Sequence, residues 1–446
     1  MHPLVVKHLL LPVHERLLGR PMPAYLRELE ESQWWSPAQL RELQQTKLRR
    51  LLRHAWDKCV FYRDRIQQAG LSPDSITLDE LARLPTTTKT DIRANTATMI
   101  DPTVRGGLHA YNTGGSSGDP LIFQIDRTRQ AADQAARARS RRWFGIDVGQ
   151  RELYLWGSPI ELAAQDRLKR FRDHLTNHKL LNAFRMSPRR MSDYIDRIQR
   201  FDPVHVFGYP SSLALLARHA RQSGRTLRTP SLQAVFTTGE LCLDHDRKLI
   251  EREIGVPVAD GYGSREAGFI AHQCPHGTYH VTMESVVTEL LDERGRPVVG
   301  DEPGEVTVTH LDAFGMPFIR YQTGDLARWA PHACPCGRSL QAVRDIQGRK
   351  TDMLRTADGG VAHALSVIYV LRDEPAIRQF KVVQRPDLGL DVTVIADAMF
   401  DPPRQEKVRR MLQRRIGRGV AVRLRLVDQI VPDPSGKHRY VVSQAD

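Results

Sequence analysis

Tyr111-Asn112-Thr113-Gly114-Gly115-Ser116-Ser117-Gly118-Asp119-Pro120 is the stretch from which the fold of this chain is read. Its three glycines permit sharp turns and close approach of the backbone to a ligand. Thr113, Ser116 and Ser117 add hydroxyls to a run of N–H groups that can converge on anionic oxygens. It is a phosphate-loop candidate, but not a Walker loop: Asp119 and Pro120 follow Gly118 where that motif has Lys and Ser/Thr, so any phosphate grip works without that lysine. A solvated Gly/Ser turn has the same composition, and the loop alone does not decide between the two.

Working outward, Leu121-Ile122-Phe123-Gln124-Ile125 alternates like a strand, and Arg127 to Trp143 reads as a helix ending near Gly145. Strand followed by helix recurs through Leu153-Tyr154-Leu155-Trp156, Val204-His205-Val206-Phe207-Gly208 and Ala234-Val235-Phe236, which is α/β alternation with buried strands. Open α/β sheets place ligands at strand ends, so Gly208-Tyr209-Pro210-Ser211-Ser212 and Thr237-Thr238-Gly239-Glu240 are expected to border one crevice. Plain strand-to-helix turns with Ser/Thr capping explain both compositions equally well. Pro37 to Gln68 carries helical spacing behind Trp34 and Trp35, giving a helical N-terminal region over residues 1–100. Arg137, Arg139, Arg141 and Arg142 read as a solvated helix face.

At 446 residues the chain has ample core and is long for one domain, so two unequal domains are expected. Lys and Arg number 65 against 52 Asp and Glu, a formal charge of +13. No nucleic-acid motif accompanies that excess, and anionic small ligands such as ATP and CoA account for it more simply than nucleic acid. No run approaches the ~18 apolar residues of a membrane span. The apolar stretch within Met1 to Arg20 is interrupted by Lys7 and His8 and lacks a small-residue cleavage site. It reads as an amphipathic helix packed on its own domain, with a membrane surface or another subunit as alternatives. Five cysteines without a secretory signal argue for a reducing, cytoplasmic location, in which clustered cysteines hold metal more often than they form disulfides. A homodimer is left open.

Four further stretches come after the loop in order: Asp260-Gly261-Tyr262-Gly263-Ser264-Arg265-Glu266, Tyr321-Gln322-Thr323-Gly324-Asp325, Gly348-Arg349-Lys350-Thr351-Asp352 and Pro434-Ser435-Gly436-Lys437-His438-Arg439. With the loop they resemble the adenylate-forming (ANL) superfamily over nearly the whole chain, in particular its branch of phenylacetate-CoA ligases and CapK-like proteins. Leu84-Pro85-Thr86-Thr87-Thr88-Lys89-Thr90-Asp91-Ile92-Arg93 is similar to a CapK-like segment and is assigned no chemistry. The resemblance implies an α/β fold with a large N-terminal ATP- and acid-binding domain (1–347), a hinge (348–352) and a small mobile α+β domain (353–446). It places Thr113, Gly114, Gly115, Ser116, Ser117 and Gly118 around the phosphates, and Gly239 and Glu240 beside the adenylate. It also implies Tyr262, between Gly261 and Gly263, on adenine, Ser264 on phosphate, Glu266 on Mg2+ and Asp325 on the ribose. Arg349 fits the nucleotide-contacting arginine, and Lys437 fits the lysine that stabilises charge during adenylation. The family usually has Asp or Lys two residues after the arginine; Thr351 stands there, with Asp352 next, so the pivot position is open.

Cys274-Pro275-His276-Gly277-Thr278-Tyr279-His280 and Cys334-Pro335-Cys336-Gly337 supply three thiolates and two imidazoles, enough for a four-coordinate Cys3His zinc site. The single residue between Cys334 and Cys336 is tighter than the usual spacing of about two to four. The expected ligands are Cys274, Cys334, Cys336 and His280, with His276 as alternative, in a structural Zn2+ site. Cys59 and Cys242 read as core residues.

The expected function is ATP- and Mg2+-dependent activation of a small-molecule carboxylic acid as an acyl adenylate, then transfer to CoA. An amine, a carrier protein or a sugar hydroxyl are the alternative acceptors. A non-catalytic nucleotide-binding protein is the alternative from another class, and it has no need of Lys437.

Overall fold

The computed structural model of this chain describes all residues except 113–120, 157–172, 174, 184, 185, 187, 299, 331, 332, 350–352, 358–360, 364, 373, 431–440 and 446. The chain divides into two compact units, one ending at Gln347 and the other beginning at Gly348.

The first unit is built on an 11-stranded mixed sheet. Val258–Ser264, Ala234–Thr238, His205–Gly208, Glu152–Trp156 and His178–Asn182 lie side by side and parallel. His205–Gly208 is buried along its whole length, as strands covered on both faces must be. On one face Leu213 and Leu216 of helix Pro210–Gln222 and Ile250 of helix Asp244–Ile254 meet Leu153, Val206 and Val235; on the other, Ile146 and Phe144 meet Phe207 and Phe236. Beyond Val258–Ser264 the pairing turns antiparallel, through Gly268–Gln273 and Tyr279–Val281. Val286–Leu291, Gly304–His310 and Tyr321–Trp329 continue as antiparallel neighbours at the far end. Helix Pro37–Lys58 covers this half, burying Leu40, Leu48, Leu51 and Leu52 in one cluster with Val286, Val308 and Phe318. Each such buried side chain contributes about 1.5–3 kcal/mol by leaving water.

The structure refines two expectations and corrects a third. The helical stretch Pro37 to Gln68 is two helices, because Cys59 takes an extended conformation (φ −118°, ψ 103°) between Pro37–Lys58 and Val60–Gln68. Strand Ile122–Ile125 stands outside the large sheet, in a two-stranded antiparallel hairpin with His109–Asn112. Asn112 and Ile122 face each other at its open end, so the hairpin holds both stems of the glycine-rich loop. Finally, the arginines of helix Arg127–Arg142 are not a solvated face. Its alanines 131, 132, 135, 136 and 138 are buried, and such small residues let neighbouring elements come close. Arg139 donates to Glu284 at 2.5 Å with both side chains buried, Arg141 donates to Glu152 at 2.6 Å, and Arg142 pairs with Asp147.

The second unit is α+β. Its four-stranded sheet runs Val422–Leu426, Leu390–Ala396, Ile377–Gln384, Val441–Ser443, with helices Leu365–Arg372 and Pro402–Ile416. The latter helix starts where Asp401 caps the N–H of Arg404 at 3.0 Å ahead of two prolines, and it buries Val408, Leu412 and Ile416 against Val382, Val392 and Val394.

Candidate active site

Gly208 and Thr237 are register partners in adjacent parallel strands, so the turns after them meet: the Ser211 N–H donates to Glu240 Oε2 at 3.3 Å. Gly239 has φ 81°, and a Cβ there would come 3.2 Å from the Tyr209 ring. Tyr209 stacks on Trp156 at 3.9 Å with the planes 17° apart. Trp156, Tyr209 and Gly239 thus form an aromatic wall at the strand ends. Phe207, two residues before Tyr209, packs on Tyr154 at 4.8 Å. The wall continues sideways, because Thr238 Oγ1 donates to the Gly261 carbonyl at 2.7 Å.

Gly261, Tyr262, Gly263 and Ser264 end strand Val258–Ser264, which turns back into Gly268–Gln273. Position 263 admits only glycine, since a Cβ would lie 2.4 Å from the Gly268 carbonyl. Ser264 Oγ accepts from the Ala267 N–H at 3.0 Å and closes the turn. Buried Arg129 donates to the carbonyls of Arg265 and Glu266, at 2.8 Å each. Glu266, only 2 % exposed, is therefore fixed by its backbone as well as its side chain.

Two partners meet Glu266 Oε1: the Tyr321 hydroxyl donates at 3.2 Å and Lys89 Nζ lies 3.7 Å away. Lys89 arrives there because Thr87 pairs with the strand of Tyr321, its N–H on the Arg320 carbonyl (2.8 Å) and its carbonyl accepting from the Gln322 N–H (2.9 Å). Thr88 then caps helix Lys89–Met99. The Tyr262 hydroxyl donates to Asp325 Oδ2 at 3.0 Å. Burial first, and then the Asp325 charge, hold the Tyr262 phenol well above its usual pKa, so it stays a donor. Arg265 donates to the Asn112 carbonyl at 3.1 Å and to the Asn112 side-chain oxygen at 3.3 Å, gripping the residue before Thr113.

Glu240, Gly261, Tyr262, Ser264, Glu266 and Asp325 are thus brought onto one continuous, hydrogen-bonded border of the sheet. Arg349 ends strand Ala342–Arg349. Thr113, Gly114, Gly115, Ser116, Ser117, Gly118, Thr351, Asp352 and Lys437 lie outside the described residues. The structure adds Lys89, Arg129, Arg265 and the Tyr321 hydroxyl to the residues expected here. Nothing in the Thr-Thr-Lys-Thr-Asp run itself marks Lys89, and only its tertiary pairing with Tyr321 reveals the contact. The donor set suits magnesium, which takes one or two protein carboxylates and completes its shell with substrate phosphates and water.

The second constellation also assembles. Cys274, His280, Cys334 and Cys336 bring their ligand atoms within 4.8 Å of one another, with Cys274 Sγ to Cys334 Sγ at 3.5 Å and Cys336 Sγ to His280 Nε2 at 3.2 Å. Two tight turns produce this: the Gly277 N–H returns to the Cys274 carbonyl and the Gly337 N–H to the Cys334 carbonyl, both glycines having φ 78°. The second turn answers the narrow Cys334–Cys336 spacing. His276 is exposed, so the imidazole brought in is that of His280. A bound zinc ion would hold the three sulfurs as thiolates, and bonds of about 2.3 Å to sulfur give tetrahedral edges of roughly this length. Arg338, just past the second turn, lies 4.8 Å from the Trp34 ring and 4.7 Å from the Trp143 ring, docking the knuckle on the helical region.

Asp260, which opens the Glu266 motif, accepts from the Thr237 hydroxyl (2.5 Å) and the Tyr279 hydroxyl (2.6 Å). Burial nevertheless pushes its carboxyl up to about 6. A carboxyl raised in the folded state contributes stability below its unfolded pKa, near 4, and loses it as pH rises through 6. The loss amounts to about 3 kcal/mol. Asp260→Asn should therefore be no more stable than the parent at pH 4 and gain on it by pH 8. Equal pH profiles in urea melts would refute this.

Residues 354–444 match the family model described as CapK C-terminal domain. The phenylacetate-coenzyme A ligase of Thermus thermophilus is 25 % identical over 375 residues, covering 81 % of this chain and 82 % of the ligase. Protein CapK of Staphylococcus aureus is 22 % identical over 407 residues, covering 90 % of this chain and 89 % of CapK. Among solved structures, 2-hydroxyisobutyryl-CoA ligase in the postadenylation state, in complex with R3-HIB-AMP, superposes with a TM-score of 0.75 at 21 % identity, covering 92 % and 91 % of the two chains. The chain is a relative of these proteins and has the two-domain fold of adenylate-forming ligases.

Proposed function

We propose that this relative of phenylacetate-CoA ligases and CapK is an AMP-forming acid–thiol ligase, which activates a carboxylic acid as its acyl adenylate and transfers the acyl group to CoA. The observation that carries the reading is the linkage of Glu266 to Tyr321 and Lys89, beside that of Tyr262 to Asp325, at the strand ends of an adenylate-forming fold.

In the first half-reaction a carboxylate oxygen of the acid bonds to the α-phosphorus of ATP and the bridge to the β-phosphate breaks, releasing pyrophosphate. Asp325 accepts from the ribose hydroxyls, and Tyr262, held on Asp325, offers its ring to adenine. Arg265 steadies the stem of the loop Thr113 to Gly118, whose N–H and hydroxyl groups meet the phosphates. Magnesium, when bound at Glu266, neutralises phosphate charge and orients the oxygens for in-line displacement. Lys89, beside Glu266, supplies a fixed positive charge that the loop itself lacks, and Lys437 adds a mobile one at the attacking oxygen. In the second half-reaction the CoA sulfur bonds to the acyl carbon and the acyl–phosphate bond breaks, releasing AMP. Movement about residues 348–352 withdraws Lys437 between the two steps. The Trp156–Tyr209 stack forms one side of the acid pocket.

Zinc at Cys274, His280, Cys334 and Cys336 is structural, since four protein ligands leave no position for water or substrate. Cys336→Ser should lower metal content and melting temperature together, with activity lost only in proportion to unfolding. Absence of stoichiometric zinc in protein never exposed to chelator would refute the site. Three reduced thiols, ATP and CoA all fit a cytoplasmic setting.

The test of the function is a carboxylic-acid panel assayed for pyrophosphate release with and without CoA. Acid-dependent release that CoA accelerates, with thioester formed, supports the ligase. Release with no thioester moves the acyl group to another acceptor, and no release with any acid overturns the enzyme reading.

A further inference from the structure

The N-terminal segment carries a surface that the ligase reaction does not use. It is one continuous helical rod, Pro3–Val5, a π-helical turn Val6–Leu10, and Leu11–Leu17. One side is fastened to the first unit. Val6 is buried, a Cβ on Gly149 would lie 2.7 Å from the Pro3 carbonyl, and Lys7 pairs with Asp147 at 2.7 Å. Glu15 is also buried and accepts from Arg20 at 2.8 Å. The opposite side exposes Leu4, Val5, Leu9, Val13 and Leu17, the last being 81 % exposed.

The π turn makes both faces possible. In an unbroken α-helix, at about 100° per residue, Val6 and Glu15 would point about 180° apart, and Val5 and Leu17 about 120° apart. A π turn takes up one extra residue and rotates the residues beyond it back by about 90°. Val6 and Glu15 can then both turn inward, while Val5, Leu9, Val13 and Leu17 line up outward. Such turns are rare and occur mostly at functional sites, and an apolar patch kept in water marks an interaction surface.

We propose that this face seats on a membrane surface bearing anionic lipid. The exposed residues among the first 19 include Arg16 and no acid. Leucine and valine side chains on one face, an arginine beside them and no exposed acid on the rod, in a chain of net charge +13, fit a helix lying in the headgroup boundary of an anionic surface. A second copy of this chain is the poorer occupant: the chain carries +13, and a twofold contact would set Arg16 of each copy against a rod that exposes no acid. One short helix binds weakly, so the attachment is reversible, and the rod needs no refolding to make it. The proposal does not depend on the chemistry of the site.

The test uses the full chain with phosphatidylcholine vesicles, with and without phosphatidylglycerol. The parent should co-sediment with the anionic vesicles and be released by salt. Leu9→Ser/Val13→Ser/Leu17→Ser should weaken partitioning by about tenfold or more, through lost apolar burial. Its melting temperature and pyrophosphate release should match the parent. Arg16→Glu should weaken binding to the anionic vesicles alone. The proposal is overturned if the parent stays in the supernatant, or if the triple variant binds as well as the parent. It is equally overturned if the parent is a dimer in solution that the triple variant dissociates, since the face would then cover a second copy.

Discussion

Lys437→Ala should reduce acid-dependent pyrophosphate release by about 10²–10³-fold, the loss expected when one preorganised positive group is removed from a developing charge. ATP affinity should change little, because a lysine recruited for the transition state contributes little to the ground state. The second half-reaction gives the sharper contrast: thioester formation from separately prepared acyl adenylate should run near the parental rate. A variant that adenylates normally would remove Lys437 from the chemistry, and equal losses in both half-reactions would argue against a lysine that withdraws between them.

Glu266→Gln should be nearly as damaging for a different reason. The amide keeps the shape and can still accept from the Tyr321 hydroxyl, so the fold is preserved. What disappears is the negative charge facing Lys89 and available to magnesium. Adenylation should fall by about 10²-fold, and the magnesium concentration for half-maximal activity should rise. Lys89 deepens the test. Beside a carboxylate its charge is balanced, and beside an amide it repels an incoming cation, so adding Lys89→Met to Glu266→Gln should recover part of the magnesium affinity. A parental magnesium dependence in the single variant would show that Glu266 does not hold the metal.

The sequence was most legible where chemistry is local. Strand-to-turn signatures such as Thr237-Thr238-Gly239-Glu240 sit where strand-end placement predicts, and the Cys and His pattern converges with His280 as its imidazole. The parallel half of the sheet was readable because its strands are short apolar runs between helices. The antiparallel half was not, because pairing across Tyr279–Val281 and Ala342–Arg349 joins stretches far apart in the chain. Arg139 and Arg141 look like surface charges in the helix pattern because their partners, Glu284 and Glu152, lie outside that helix. Lys89 was invisible for the same reason, since its meaning lies in a bridge from Thr87 to Tyr321 that no local spacing announces.

The central claim is that one chain makes an acyl adenylate and then transfers its acyl group to CoA. Rapid quenching of the enzyme with Mg-ATP and a reactive acid, without CoA, followed by mass spectrometry and then a CoA chase, tests it most directly. The account predicts stoichiometric enzyme-held acyl adenylate with matching pyrophosphate, converted on the chase to acyl-CoA and AMP at a rate compatible with turnover. Formation of ADP, or bound ATP that no acid converts to an adenylate, would contradict it.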